Sequence, residues 1–221
     1  MSPLLKDPLS PLGKARIVVV EGDDEFHLLI WLLEHMGTPG VIEIRPPYAD
    51  VATLDEYLAM LSIAPGIDGV ARIGVVCDAE DRDPGCALQA VSCAFARAFP
   101  GAPPLPATGI FSECRFEGRP LEVGAFILPD GKSPGMLEDL CLSACSDREG
   151  GVLKCVDQFL DCLAGAQVKQ PRWSKRRLHA YLAACDDPTL KVGEAAKAGC
   201  WHFEDPVWDP LKHFLLALAS A

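Results

Sequence analysis

Hydrophobic positions alternate between two kinds of run along this chain. Short unbroken apolar runs, Ile17-Val18-Val19-Val20 and Ile73-Gly74-Val75-Val76-Cys77, are rich in β-branched residues and stop at acids. Such runs read as strands of a parallel sheet covered on both faces. Between them, apolar residues recur at helical spacing. Phe26, Leu29, Ile30, Leu33 and Met36 predict a helix over about 24–36, ended by Gly37 and Thr38-Pro39-Gly40. Asp23 or Asp24 is expected to cap it, with the acids favouring its positive end. Val41 to Arg45 reads as a strand stopped by Pro46-Pro47. Leu54, Tyr57, Leu58 and Leu61 predict a helix over about 51–62, and Gly85 to Phe99 a further one. Strand, helix, strand, helix, strand, helix implies parallel strands joined by right-handed crossovers.

The pattern then changes. Ile110–Phe116 and Leu121–Leu128 predict two strands joined in a hairpin at Glu117-Gly118-Arg119. Beyond the turn Pro129-Asp130-Gly131 the chain reads helical, at about 135–145, 151–164, 174–185, 190–198 and 210–219, with Ser174 as the expected N-cap of the third of these. The predicted architecture is an irregular arm over 1–15, an α/β core over 16–130 and a helical region over 131–221 packed on that core.

Composition narrows the class. The chain has 221 residues, 49% of them hydrophobic and 23% charged, as in an ordinary globular protein. No run of about 18 apolar residues suggests a membrane span, and the N-terminus lacks the apolar stretch of a secretory signal. A cytoplasmic protein is expected, its ten cysteines reduced. Cys141 with Cys145, and Cys200 with His202, lack the paired spacing of structural zinc sites. The net charge of −11 argues against an extended basic surface for nucleic acid, though not against a local basic patch. That patch is Lys169 to Arg177, where Lys175, Arg176 and their neighbours surround Trp173. A Trp among cations suits a stacked base and bound phosphates; a solvated helix start explains the same residues.

The candidate chemistry lies where strands end. Glu21 follows the first strand, and Asp78 and Glu80 follow the third. Ligand groups in open α/β sheets gather at the carboxyl ends of the strands. Carboxylates brought together there need a neutralising charge, and oxygen-only clusters suit Mg²⁺ or Mn²⁺. Solvated strand-end acids are the plain alternative.

This arrangement resembles the Toprim domain of topoisomerases, primases and related nucleases, in which a Glu follows the first strand and an Asp-x-Asp follows the third. The matching residues are Glu21, Asp78 and Glu80, and the resemblance covers about residues 16–130. Glu80 departs from the pattern by one methylene, so Asp81 or Asp83 is a candidate to share its role. Phe126–Gly131, Gly135–Leu140 and Trp173–Leu182 are similar to an uncharacterised bacterial and archaeal family of Toprim-type proteins. In the related overcoming-lysogenisation-defect nucleases, an acid after the sheet contributes to a second metal; Glu138 matches it, with Asp139 next.

The resemblance implies Mg²⁺- or Mn²⁺-dependent phosphodiester chemistry on nucleic acid, with Glu21, Asp78 and Glu80 catalytic. Hydrolysis is expected rather than topoisomerase or primase action: Tyr48, Tyr57 and Tyr181 are the tyrosines present, and no module for either activity is evident. Two alternatives stay open. One is a non-catalytic Toprim-like module that binds metal or a protein partner. The other is phosphatase-like transfer, since Asp78-x-Glu80 resembles the Asp-x-Asp of haloacid-dehalogenase phosphatases, although Arg82 stands where those carry Thr or Val. Asp130-Gly131-Lys132-Ser133 ends like a phosphate loop, but Phe126 occupies the place of its first Gly. Oligomeric state is not legible.

Overall fold

The computed structural model describes residues 10–49, 52–145, 151–166 and 172–220. The chain is α/β. Five strands, β1 (Arg16–Val20), β2 (Glu43–Ile44), β3 (Arg72–Asp78), β4 (Phe111–Phe116) and β5 (Arg119–Leu128), form one sheet in the order β2-β1-β3-β5-β4. β1, β2, β3 and β5 run parallel, while β4 is antiparallel to β5. The hairpin expected at Glu117-Gly118-Arg119 is present. Glu117 and Gly118 both take positive φ, 50° and 80°, as the tightest hairpin turn requires.

Among the described residues the α-helices are α1 (Asp23–His35), α2 (Leu54–Ser62), α3 (Pro84–Ala98), α4 (Leu137–Ser143), α5 (Val152–Gly165), α6 (Trp173–Leu182), α7 (Val192–Lys197) and α8 (Asp209–Ala219). Alternation along the strands sorts them onto two faces. Ile17, Val19, Ile73, Val75, Cys77, Val123, Ala125 and Ile127 pack with α2 and α3. Val18, Val20, Val76, Phe126 and Leu128 pack with α1 and with α4 to α8. The C-terminal helices therefore share a core with the sheet. Gly74 permits this on the crowded face: a Cβ there would stand 2.8 Å from the Phe214 ring of α8, which in turn stacks on Phe111 with centroids 5.2 Å apart.

Four expectations are corrected. β2 has two residues rather than five. Its neighbours Pro46 and Pro47 have no N–H to continue the ladder, yet the chain still follows β1, with Tyr48 N–H donating to Val20 O (3.2 Å) and Ala49 N–H to Glu21 O (3.1 Å). Gly22, not Asp23 or Asp24, is the N-cap of α1, because the helix begins directly at the strand end. α6 begins at Trp173 with Arg172 as its N-cap, in the left-handed region at φ 59°; Ser174 lies inside the helix. The helix expected over about 135–145 is α4, which ends at Ser143, so Cys145 lies beyond it and bridges to Trp201. All ten cysteines are free thiols. Residues 1–9 of the expected arm, and Lys169 of the basic cluster, lie outside the described residues. Among the described residues no helix is long and apolar enough to cross a membrane.

Candidate carboxylate site

The site forms where β1 and β3 end side by side. Val20 pairs with Val76, so Glu21 and Asp78 leave the sheet together. The Asp78 N–H points at Glu21 Oε2, at 3.4 Å. α1 starts two residues after Glu21, which brings Glu25 back over the strand end; its Oε2 accepts from Gly22 N–H at 3.0 Å. From the far side, the first turn of α4 closes on β3. Leu137 N–H donates to Asp78 Oδ1 at 2.9 Å, and the next residue, Glu138, is buried at 5% exposure. α6 supplies a cation: Lys175 Nζ lies 3.3 Å from Glu138 Oε1.

Glu80 completes the rim. It takes φ 55°, a strained conformation for a residue with a side chain. Two backbone hydrogen bonds to Gly135 hold it, Glu80 N–H to Gly135 O (2.8 Å) and Gly135 N–H to Glu80 O (2.7 Å). The resulting cleft has a volume of about 430 Å³. Seven carboxylates line it, those of Glu21, Asp23, Asp24, Glu25, Asp78, Glu80 and Glu138, against two cations, Arg172 and Lys175.

The charge imbalance has consequences. Burial raises Glu21, and the charge of Glu80 raises it further; the Asp78 N–H and the Tyr48 hydroxyl oppose this. Burial, with the charges of Glu21 and Glu138, pushes Glu25 up to about 7. Burial, then the charges of Glu25, Glu21 and Glu138, push Asp78 up to about 9 despite the Leu137 N–H. Burial and like charge thus favour the protonated form of these groups more than in ordinary carboxylates. Perturbation by both desolvation and like charge in one cleft marks a functional-site candidate.

The sequence-expected residues divide. Glu21, Asp78, Glu80 and Glu138 come together around one cleft, and Lys175 joins them. Arg176 lies beside the cleft, in the lining of an adjoining groove. Trp173 is 40% exposed and is not among the residues lining the cleft. The three remaining acids have other work or places: Asp83 Oδ1 caps α3 through Gly85 N–H (2.8 Å), Asp139 Oδ2 accepts from Met136 N–H (2.9 Å), and Asp81 is exposed. Sequence reasoning missed Glu25 and Tyr48 as site residues; Arg172, a member of the expected basic cluster, joins Lys175 in the cleft lining. Glu25 had a signal, as an acid three residues past an N-cap, the position whose side chain turns back on the helix start.

The donor set is all oxygen, anionic and partly desolvated, which suits a hard divalent cation. Among the described residues, no three His, Cys, Asp or Glu side chains converge as a ready-made cage. Mg²⁺ does not demand one: it is commonly held by one or two carboxylates, with waters and substrate phosphates filling the other positions. Glu21 and Asp78, adjacent through the Asp78 N–H, are the pair that fits this mode. No curated protein and no solved structure matches the chain. A family model spanning residues 15–220 does match, and the chain belongs to that family, described as "Protein of unknown function (DUF3226)".

Proposed function

We propose that this protein is a Mg²⁺- or Mn²⁺-dependent phosphodiesterase acting on nucleic acid by nuclease-type hydrolysis, in the manner of the Toprim-like nucleases its strand-end acids resemble. The observation that carries this reading is the uncompensated carboxylate cleft at the C-terminal edge of a parallel sheet, with Lys175 and Arg172 on its wall. Glu21 and Asp78 would hold the cation, with Glu80 and Glu138 completing its surroundings. A bound divalent ion supplies charge to a phosphodiester and lowers the pKa of a bound water.

The chain's own residues have separate tasks. Leu137 N–H and the β3 backbone fix Asp78. The Asp78 N–H and Tyr48 fix Glu21. Lys175, 41% exposed at its side chain, is free enough to exchange Glu138 for a phosphate oxygen. Glu25, buried and raised to about 7, sits where it can exchange a proton near neutral pH.

Incubation with single-stranded, duplex and plasmid substrates in Mg²⁺, Mn²⁺ or EDTA tests the proposal. Metal-dependent cleavage that is lost in Glu21→Gln and Asp78→Asn supports it. A second reading, a non-catalytic metal- or partner-binding module, is favoured by the Lys175–Glu138 pair, which already neutralises one acid. Metal binding without cleavage of any of these substrates would select that reading.

A further inference from the structure

Next to the carboxylate cleft, α5 and α6 frame a second depression of about 410 Å³. One side comes from α5, through Phe159, Leu160 and Leu163; the other comes from Arg172, Lys175, Arg176 and His179, which line it mainly with their apolar parts. Leu160 is buried at 1% exposure and seats α5 on the core, while Phe159 is left 54% exposed. Arg177 donates twice to Asp157, at 2.7 and 2.9 Å, and fixes the two helices against each other. The groove therefore has rigid walls.

Its charge runs against that of the molecule. The chain carries −11, yet no carboxylate is among the described residues lining this groove. An exposed aromatic ring beside three cations selects a ligand with a flat apolar face and attached negative charge. A nucleotide has both: the base stacks and the phosphates meet Arg and Lys. A neutral amphipathic helix of a partner protein would cover Phe159 but make no use of these cations. Arg172 and Lys175 line both the groove and the carboxylate cleft, so the two depressions adjoin and one strand could occupy both.

We infer that this groove is a base-stacking subsite that selects single-stranded nucleic acid, placing an unpaired base on Phe159 and the adjoining phosphodiester in the carboxylate cleft. The inference rests on the nucleic-acid reading above and narrows its substrate class. In a duplex both faces of a base are covered by its neighbours, so only an unpaired or extruded base presents a face to Phe159.

The test is fluorescence anisotropy of the full chain in Ca²⁺, with a labelled single strand of about 10 nucleotides and a blunt hairpin of the same sequence. The single strand is expected to bind at least about 10-fold tighter, Phe159→Ala to weaken it about 5- to 10-fold, and Phe159→Tyr to restore it, by the usual strength of base–aromatic stacking. Arg176→Gln is expected to lower the salt dependence by about one phosphate contact. Equal binding of strand and hairpin, or a Phe159→Ala protein that binds the strand as wild type does, overturns the inference; metal-dependent hydrolysis persisting in that case leaves the nuclease reading intact. Phe159-dependent strand binding with no hydrolysis under Mn²⁺ does the reverse. Absence of oligonucleotide binding overturns the subsite and assigns the groove to a protein partner.

Discussion

The parallel strands carry charge at both ends, and the two ends treat it differently. Where the strands begin, Arg72 pairs with Glu122 and donates to Ala217 O (2.6 Å) and Ser220 O (3.0 Å), and Arg16 Nε donates to Ser220 O (2.9 Å). Those carbonyls close α8, where the helix dipole favours cations. Charge at this end is satisfied within the chain. Where the strands finish, Glu21, Asp78, Glu25, Glu80 and Glu138 share one cleft whose described lining has two cations, Arg172 and Lys175, and burial with mutual repulsion raises Asp78 and Glu25. Both ends use charged residues flanking the same apolar runs. What separates structural charge from candidate functional charge here is whether the chain supplies the counter-ion.

The largest expected effect is on activity. Glu21→Gln or Asp78→Asn should lower hydrolysis at least about 100-fold, since losing even the groups that orient metal ligands costs about 10- to 100-fold. In EDTA the same variants should melt at or above the wild-type temperature, because the neutral amide keeps a hydrogen-bond acceptor and needs no proton to stay uncharged among the neighbouring acids. Activity assays paired with melting curves read both halves. Glu122→Gln, at the satisfied end, should leave activity unchanged.

A second effect is on pH dependence without metal. Asp78 and Glu25 are raised in the folded state, so between their unfolded and folded values the native protein binds more protons than the unfolded one. Their contribution to stability is fully present below the unfolded values of 3.8 and 4.5 and is lost as pH rises through about 7 for Glu25 and about 9 for Asp78. Stability in EDTA should therefore fall by several kcal/mol across that window, and Mg²⁺ or Mn²⁺ should flatten the slope by displacing the protons. Urea melts at several pH values measure it.

Two packing changes sharpen the contrast from the other side. Gly74→Ala drives a Cβ against Phe214 and should cost about 1–2 kcal/mol, the lower range for overpacking a core. Glu122→Gln removes a half-buried partner of Arg72 and should cost about 1 kcal/mol, or about 2–4 °C in a chain of this size. Neither loss should depend on divalent metal.

The sequence made much of this legible, for a physical reason. β1, β3 and β5 are buried on both faces, so their apolar runs are unbroken, and the acids that end them stand out. Glu21, Asp78 and Glu80 could be read that way. Glu138 came through family resemblance, since an acid in the first turn of a helix is otherwise ordinary. Tyr48 was not legible as a site residue, because its burial comes from the packing of distant elements rather than from local pattern, and Glu25 showed only as an acid at a helix start. Arg172 was legible as part of the basic cluster, but its place at the cleft depends on α6 docking against α4 through Lys175 and Glu138. Caps were misread where a strand runs straight into a helix at Gly22, and where Arg172 adopts a left-handed conformation that no local residue signals.

The most direct test of the central claim is thermal unfolding of wild type and Asp78→Asn at neutral pH, each with EDTA and with millimolar Mn²⁺ or Mg²⁺. A carboxylate cation site predicts that metal raises the melting temperature of the wild type and leaves Asp78→Asn unmoved. Equal shifts in both proteins, or none in either, would contradict it.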